Sequence, residues 1–114
     1  MDDCIFCKIA RKEIPAALIY EDDQLVAFND VNPQAPVHIL IIPREHIASL
    51  GQLSPAHDAV AGRALRLAGE LAREKGLGER GYRVVANSGP DAGQSVNHLH
   101  FHVLGGRILG WPPG

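Results

Sequence analysis

Apolar and polar residues follow two different periods along this chain. Val60, Ala64, Leu67, Ala68 and Leu71 recur at three- and four-residue spacing, which predicts one face of a long helix. Arg63, Arg66, Glu70 and Arg73 take the remaining faces. Ser54-Pro55 supplies an N-cap and a proline at the first helical position. Gly76 and Gly78 end the helix near Lys75. A shorter amphipathic helix is predicted from Ile5 to Arg11, with Ile5, Phe6 and Ile9 on one side and Pro15 closing the region. Elsewhere the runs are short and β-prone: Ala17 to Glu21, Leu25 to Asn29, Val37 to Ile42, Tyr82 to Ala86 and Leu99 to Leu104. Asp22-Asp23 turns the first pair, and Pro43 ends the third run. A loop with two prolines spans 30–36, a glycine-containing connection spans 87–97, and 105–114 is an irregular tail. The expected class is α+β: strands and helices do not alternate as a parallel βαβ sheet requires.

At 114 residues the chain holds one domain, 1–114, and has no room for two independent cores. A composition of 46% hydrophobic and 21% charged residues argues against intrinsic disorder. A net charge of -2 argues against a nucleic-acid partner, because polyanion binding needs a basic excess. The longest aliphatic stretch, Ile39 to Ile42, is far too short to span a membrane. The acidic start Met1-Asp2-Asp3 leads into no long apolar run, so no secretory signal is expected and the location expected is cytoplasmic. Gly76-Leu77-Gly78-Glu79-Arg80-Gly81 matches a dinucleotide-binding fingerprint, but it follows a helix and precedes a strand, the reverse of the required order. These glycines read as cap and turn residues.

The chemistry lies in six His and two Cys. His98, His100 and His102 alternate with Leu99, Phe101 and Val103, so a strand would put the imidazoles on one face and the apolar residues on the other. Three ligands to one metal do not fit that spacing, since His98 and His102 would lie roughly 13 Å apart along a strand. A row of imidazoles suits nucleophilic and proton-transfer chemistry, with phosphorus a suitable electrophile. Cys4-x-x-Cys7 supplies half of a four-ligand zinc site, with His38, His46, His57, His98 and the other row members as candidates for the rest. A redox-active or an incidental pair is the alternative, and no βαβ context supports a thioredoxin-like role for it.

The run H-φ-H-φ-H-φ-φ, with φ apolar, resembles the histidine-triad superfamily. The segments Asp30 to His38, Ala92 to Val96, Leu104-Gly105-Gly106-Arg107 and Trp111-Pro112-Pro113-Gly114 are similar to its nucleotide-binding branch, so the resemblance covers nearly the whole chain. It implies a five-stranded antiparallel sheet and a homodimer that joins two such sheets into one of ten strands. It also implies a purine nucleotide substrate, with AMP or GMP conjugates cleaved through a nucleotidyl-histidine intermediate. On these positions His100 is the nucleophile, His102 binds phosphate oxygen or assists the leaving group, and His38 joins a proton relay. Asp30 falls on the ribose-binding carboxylate. Ile5, Phe6, Ile9, Phe28 and Val31 fall on the purine slot. Ser95, Asn87 and the backbone around Gly93 and Gln94 fall on the phosphate and leaving-group contacts. Without the resemblance, Asp30, Asn87 and Gly93 read as turn residues and the apolar five as core.

His at the third row position, where transferase branches often carry Gln, favours the hydrolase branch that cleaves phosphorus–nitrogen bonds, here those of purine nucleoside phosphoramidates, with aminoacyl adenylates as a further expected substrate. A dinucleoside polyphosphate hydrolase and a non-catalytic nucleotide-binding regulator are the alternatives. Some relatives pair an N-terminal Cys-x-x-Cys with two His to bind zinc. That implies Cys4, Cys7, His46 (ending Pro43-Arg44-Glu45-His46) and His98 as a structural site. His57 reads as a solvated surface residue. In the family the tail reaches the partner's active site, which places Trp111 there.

Overall fold

The computed structural model describes residues 3–114; Met1 and Asp2, part of the acidic start, lie outside them. Five strands form one sheet in the order β1-β2-β3-β5-β4, every neighbour antiparallel. They are β1 (Leu18–Glu21), β2 (Leu25–Asn29), β3 (Val37–Pro43), β4 (Tyr82–Val85) and β5 (Phe101–Gly105). Two helices complete the fold, α1 (Ile5–Ala10) and α2 (Asp58–Glu74). This is the expected α+β class.

Directly paired residues of an antiparallel sheet share a face, so the register sorts the side chains. The row Ala27, Ile41 and Phe101 and the row Ile39 and Val103 lie on one side, as does Leu25 two residues along β2, and they pack with Leu67, Ala68 and Leu71 of α2. The helical spacing and the strand alternation therefore meet in one core. On the other side, Val26, Phe28, Leu40 and Ile42 pack with Phe6, Ile9 and Ala10 of α1. The short helix covers only part of this second face. The rest carries His38 beside Leu104 and Arg83, and Leu40 beside His102 and Val85.

The β5 ladder starts at Phe101, two residues later than the pattern predicted. Pairing with β3 runs from Val37↔Gly105 to Ile41↔Phe101 and stops near Pro43, which has no N–H to donate. The Leu99 N–H bonds instead to the Ile47 carbonyl at 2.6 Å. The side-chain alternation survives: Leu99 joins the α2 core, while His98 and His100 point the other way, against Phe6. β4 also ends one residue early, at Val85.

Ser54 caps a 3₁₀ turn at Pro55–His57 that leads into α2. His57 is not the free surface residue expected. Its Nδ1 accepts from the Ser54 N–H at 3.0 Å and its Nε2 lies 3.3 Å from Glu45, so the ring closes the helix entry. At the other end, Gly76 has φ 79, and the N–H groups of Gly76 and Leu77 bond back to Arg73 and Ala72. That is a Schellman cap, which disposes of the dinucleotide fingerprint. Gly106 has φ 92, and a Cβ there would sit 2.9 Å from Pro36, so only glycine lets β5 exit against the 30–36 loop.

Candidate functional site

A carbonyl oxygen can only accept, and a backbone N–H can only donate. Those two facts fix most of the imidazole protons. His100 Nδ1 lies 2.7 Å from the His98 carbonyl, so Nδ1 carries the proton and Nε2 of the neutral ring carries the lone pair. The Gln34 N–H donates to His38 Nδ1 at 3.0 Å, which puts the His38 proton on Nε2. That Nε2–H donates to His102 Nδ1 at 2.8 Å, with the Asp30 carboxylate 3.4 Å away. His102 must then hold its proton on Nε2. The row thus presents a lone pair on His100 and an N–H on His102, with ring centroids 5.0 Å apart. Phe6 stands edge-on to His100 at 5.1 Å and to Phe28 at 5.6 Å, which holds the His100 ring in place.

These imidazoles border a cavity of about 310 Å³. Ile5, Phe6, Ile9, Phe28 and Val31 line it together with Asp30, Ser95, His100 and His102. An apolar slot with a few polar groups is the usual form of a small-ligand site. Val31 is 98% exposed and touches the slot only from its rim. Asp30 combines both of its readings: Oδ1 accepts from the Asn32 N–H at 2.8 Å, forming a turn, while Oδ2 faces His38.

Gln94 braces a loop. Its amide nitrogen donates to the Ala48 and Val96 carbonyls at 2.8 and 3.0 Å, and its oxygen accepts from the Gly89 N–H at 2.9 Å. The N–H groups of Gly93 and Gln94 also bond within this loop, to Pro90 and Gly89. Neither is left to contact phosphate. Ser95, exposed on the cavity wall, keeps that possibility. Asn87 lies outside the slot, in a second cavity of about 320 Å³ that also contains His38 and His102. Trp111 lines neither cavity; it is 82% exposed, with the Arg83 guanidinium 6.0 Å from its ring centroid.

Two clusters of potential metal ligands occur among the described residues. In the first, Cys4, Cys7, His46 and His98 converge: Cys4 Sγ to His98 Nδ1 is 3.4 Å, Cys7 Sγ to His98 Nδ1 is 3.5 Å, and Cys7 Sγ to His46 Nδ1 is 3.2 Å. A tetrahedral zinc-type site separates sulfur and nitrogen ligands by about 3.6 Å, close to what is seen. His98 Nε2 donates to the Pro43 carbonyl at 2.8 Å, which bares Nδ1 toward the sulfurs. The donor set, spacing and tautomer all fit a metal. The second cluster, Asp30, His38 and His102, is wired differently. A metal on His38 Nε2 would drive its proton onto Nδ1, against the Gln34 N–H. That cluster is a hydrogen-bonded chain whose far end, His38 Nδ1, accepts from the Gln34 amide.

Three features of the site carry no sequence motif: the Gln34 amide, the Pro43 carbonyl and the pair Arg83 and Arg107 in the second cavity. The Arg83, Val85, Asn87 alternation on and just past β4 is the one signal that could have found part of it.

Burial holds the His102 ring pKa down to about 4, helped by the neighbouring His100 and His38. Burial also lowers His38, against the pull of Asp30, and lowers His98. An ordinary His titrates near 6.5, so between about pH 4 and 6.5 the unfolded chain binds protons that the folded chain refuses. Stability is therefore complete above that window and is lost as pH falls through it. The thermal midpoint should be flat from pH 8 to 7 and fall progressively below about 6.5, with a shallower fall in His102→Asn. A midpoint constant down to pH 4.5 would contradict these assignments.

Comparison with known proteins points one way. The HIT domain model matches residues 11–109. An uncharacterized HIT-like protein of Synechococcus elongatus is 55% identical, over 99% of this chain and 98% of its own length. A protein of Zea mays named a 14 kDa zinc-binding protein is 50% identical, over 96% of this chain and 87% of its own. The crystal structure of a HIT family hydrolase from Legionella pneumophila superposes with a TM-score of 0.97 at 47% identity, covering 98% of this chain and 100% of that one. A histidine triad nucleotide-binding protein from Candida albicans superposes with a TM-score of 0.83 at 35% identity, covering 96% and 83%. The alternating histidines, the sheet that carries them and these matches agree: the chain belongs to the HIT family.

Proposed function

We propose that this protein hydrolyses purine nucleoside phosphoramidates, and aminoacyl adenylates, through a nucleotidyl-histidine intermediate. A nucleotide hydrolase is the broader reading, supported by the hydrolase and nucleotide-binding relatives. The observation that carries the finer one is His100: its Nδ1 proton is tied to the His98 carbonyl, so the lone pair on Nε2 is the nucleophile.

The purine occupies the apolar slot between Ile5, Phe6, Ile9 and Phe28. Asp30 accepts from the ribose hydroxyls, and Ser95 donates to the phosphate. His100 Nε2 forms a bond to the α-phosphorus as the phosphorus–nitrogen bond of the substrate breaks. The departing nitrogen takes up one proton, which His102 Nε2–H is placed to supply. Water then attacks the phosphorus, releases the nucleoside monophosphate from His100 and returns the proton to His102. His38, by donating to Nδ1, directs the His102 proton to Nε2 before the transfer and again after its return.

Zinc is the metal we assign to Cys4, Cys7, His46 and His98, in a structural role. It would tie α1 to the segment that carries His98, and so hold Phe6 against His100. The proposed assembly is a cytoplasmic homodimer with one ten-stranded sheet. β4 is an edge strand of the five-stranded sheet, and the exposed Trp111 lies on the same side through Arg83. Among the described residues no helix is long and apolar enough to cross a membrane.

Wild-type protein should turn over an adenosine phosphoramidate, and His100→Ala should lose at least about 10³-fold in kcat, as expected when a covalent nucleophile is removed. Mass spectrometry of quenched reactions should find an adenylyl group on His100. Equal rates for the two proteins would sink the proposal. Side-by-side kcat/KM on diadenosine tetraphosphate separates the polyphosphate alternative.

Metal analysis of purified protein should find about one zinc per chain and not two. Cys7→Ser should lose the metal and lower the thermal midpoint. A metal-free protein of unchanged midpoint would contradict the zinc assignment.

A further inference from the structure

His102 is the one residue common to the apolar slot and the second cavity. The reacting phosphorus, placed beside His100 and His102, therefore has two compartments available. The slot is apolar and suits the base. The second cavity is different in kind: its walls include His38, Asn87, Arg83, Arg107 and Pro113. Strand register builds it, because Val85 pairs with His102 and Arg83 pairs with Leu104 on the same face.

The charges there are uncompensated. Arg63 pairs with Asp22, Arg44 with Glu21 and Arg66 with Glu70, but neither Arg83 nor Arg107 makes an ion pair among the described residues. Both guanidiniums are instead held by backbone carbonyls. Arg83 Nη2 donates to the Gly110 carbonyl at 2.8 Å and to that of Leu109 at 3.5 Å. Arg107 donates to the Gln34 and Ile108 carbonyls, both at 3.0 Å. Neutral acceptors fix their positions without cancelling their charge. A pair of oriented cations at the wall of a cavity selects an anion.

We propose that the second cavity receives the leaving group and that Arg83 and Arg107 make the enzyme prefer amines that carry an anion, either a carboxylate or a phosphate. The inference rests on the phosphoramidase reading and adds the class of leaving group to it. Asn87 is the neutral donor of the same compartment. The Arg107 contact to the Gln34 carbonyl also ties this cavity to the loop whose N–H sets the His38 tautomer.

The test compares kcat/KM for adenosine 5′-phosphoramidates of four amines of similar length: propylamine, 1,3-diaminopropane, β-alanine and aminoethyl phosphate. Both anionic amines should exceed propylamine by about tenfold, the diamine should fall below it, and the preference should shrink at high salt. The two anionic arms separate a carboxylate source from a phosphate source. In Arg83→Gln and Arg107→Gln the anionic-to-neutral ratio should fall toward one. Arg83→Lys should keep most of it, because charge and not the carbonyl contacts sets the ratio; thermal midpoints monitor folding. Equal kcat/KM for neutral and anionic amines, or a ratio unchanged in both Gln variants, would overturn the inference while leaving the phosphoramidase intact. Failure to turn over all four would instead remove the phosphoramidase reading, and the inference with it.

Discussion

A neutral imidazole has one nitrogen that donates and one that accepts, and three backbone groups decide which is which in this protein. The His98 carbonyl holds the His100 proton on Nδ1, the Pro43 carbonyl holds the His98 proton on Nε2, and the Gln34 amide forces the His38 proton onto Nε2. His102 follows from His38. A wrong tautomer at any of these rings faces donor to donor or acceptor to acceptor. An unmade buried hydrogen bond costs about 1–3 kcal/mol, so each correct tautomer is favoured by roughly 5- to 150-fold. No neighbouring charge is needed. The same device bares Nδ1 of His98 toward the cysteine sulfurs and Nε2 of His100 on the next ring of the row.

The sheet supplies the frame for those contacts. Its register puts Leu25, Ile39, Ile41, Phe101 and Val103 under α2 and leaves the opposite face half covered by α1. The uncovered half becomes the site. The late start of β5 matters here. A regular ladder through His98 would engage the backbone around His98 and Pro43, whose carbonyls are instead free to accept from imidazoles. Giving up two rungs of sheet makes two tautomers definite.

Much of this was legible in the chain. Period-two alternation put Leu99, Phe101 and Val103 on the core side, and three-to-four spacing placed Leu67, Ala68 and Leu71 on α2, because burial leaves its mark on residue type. The Cys and His residues of both clusters were nameable for a similar reason: only a few side chains ligate metals or attack phosphorus. What stayed hidden was backbone. Gln34 contributes an N–H and Pro43 a carbonyl, groups that almost any residue offers, so no residue code marks them. His57 misled for a related reason: its cap depends on the Ser54 N–H, and its own identity says only that it is polar. Arg83 and Arg107 lie apart in sequence and read as surface charge until the fold sets both beside His102.

The most direct test of the backbone-set tautomers is a long-range ¹H–¹⁵N correlation spectrum of the zinc-loaded protein with ¹⁵N-labelled histidine, at pH 7.5. His100 should appear with its proton on Nδ1, and His38, His98 and His102 with theirs on Nε2. A His100 ring protonated on Nε2, or rapid exchange between tautomers at His38, would contradict the account.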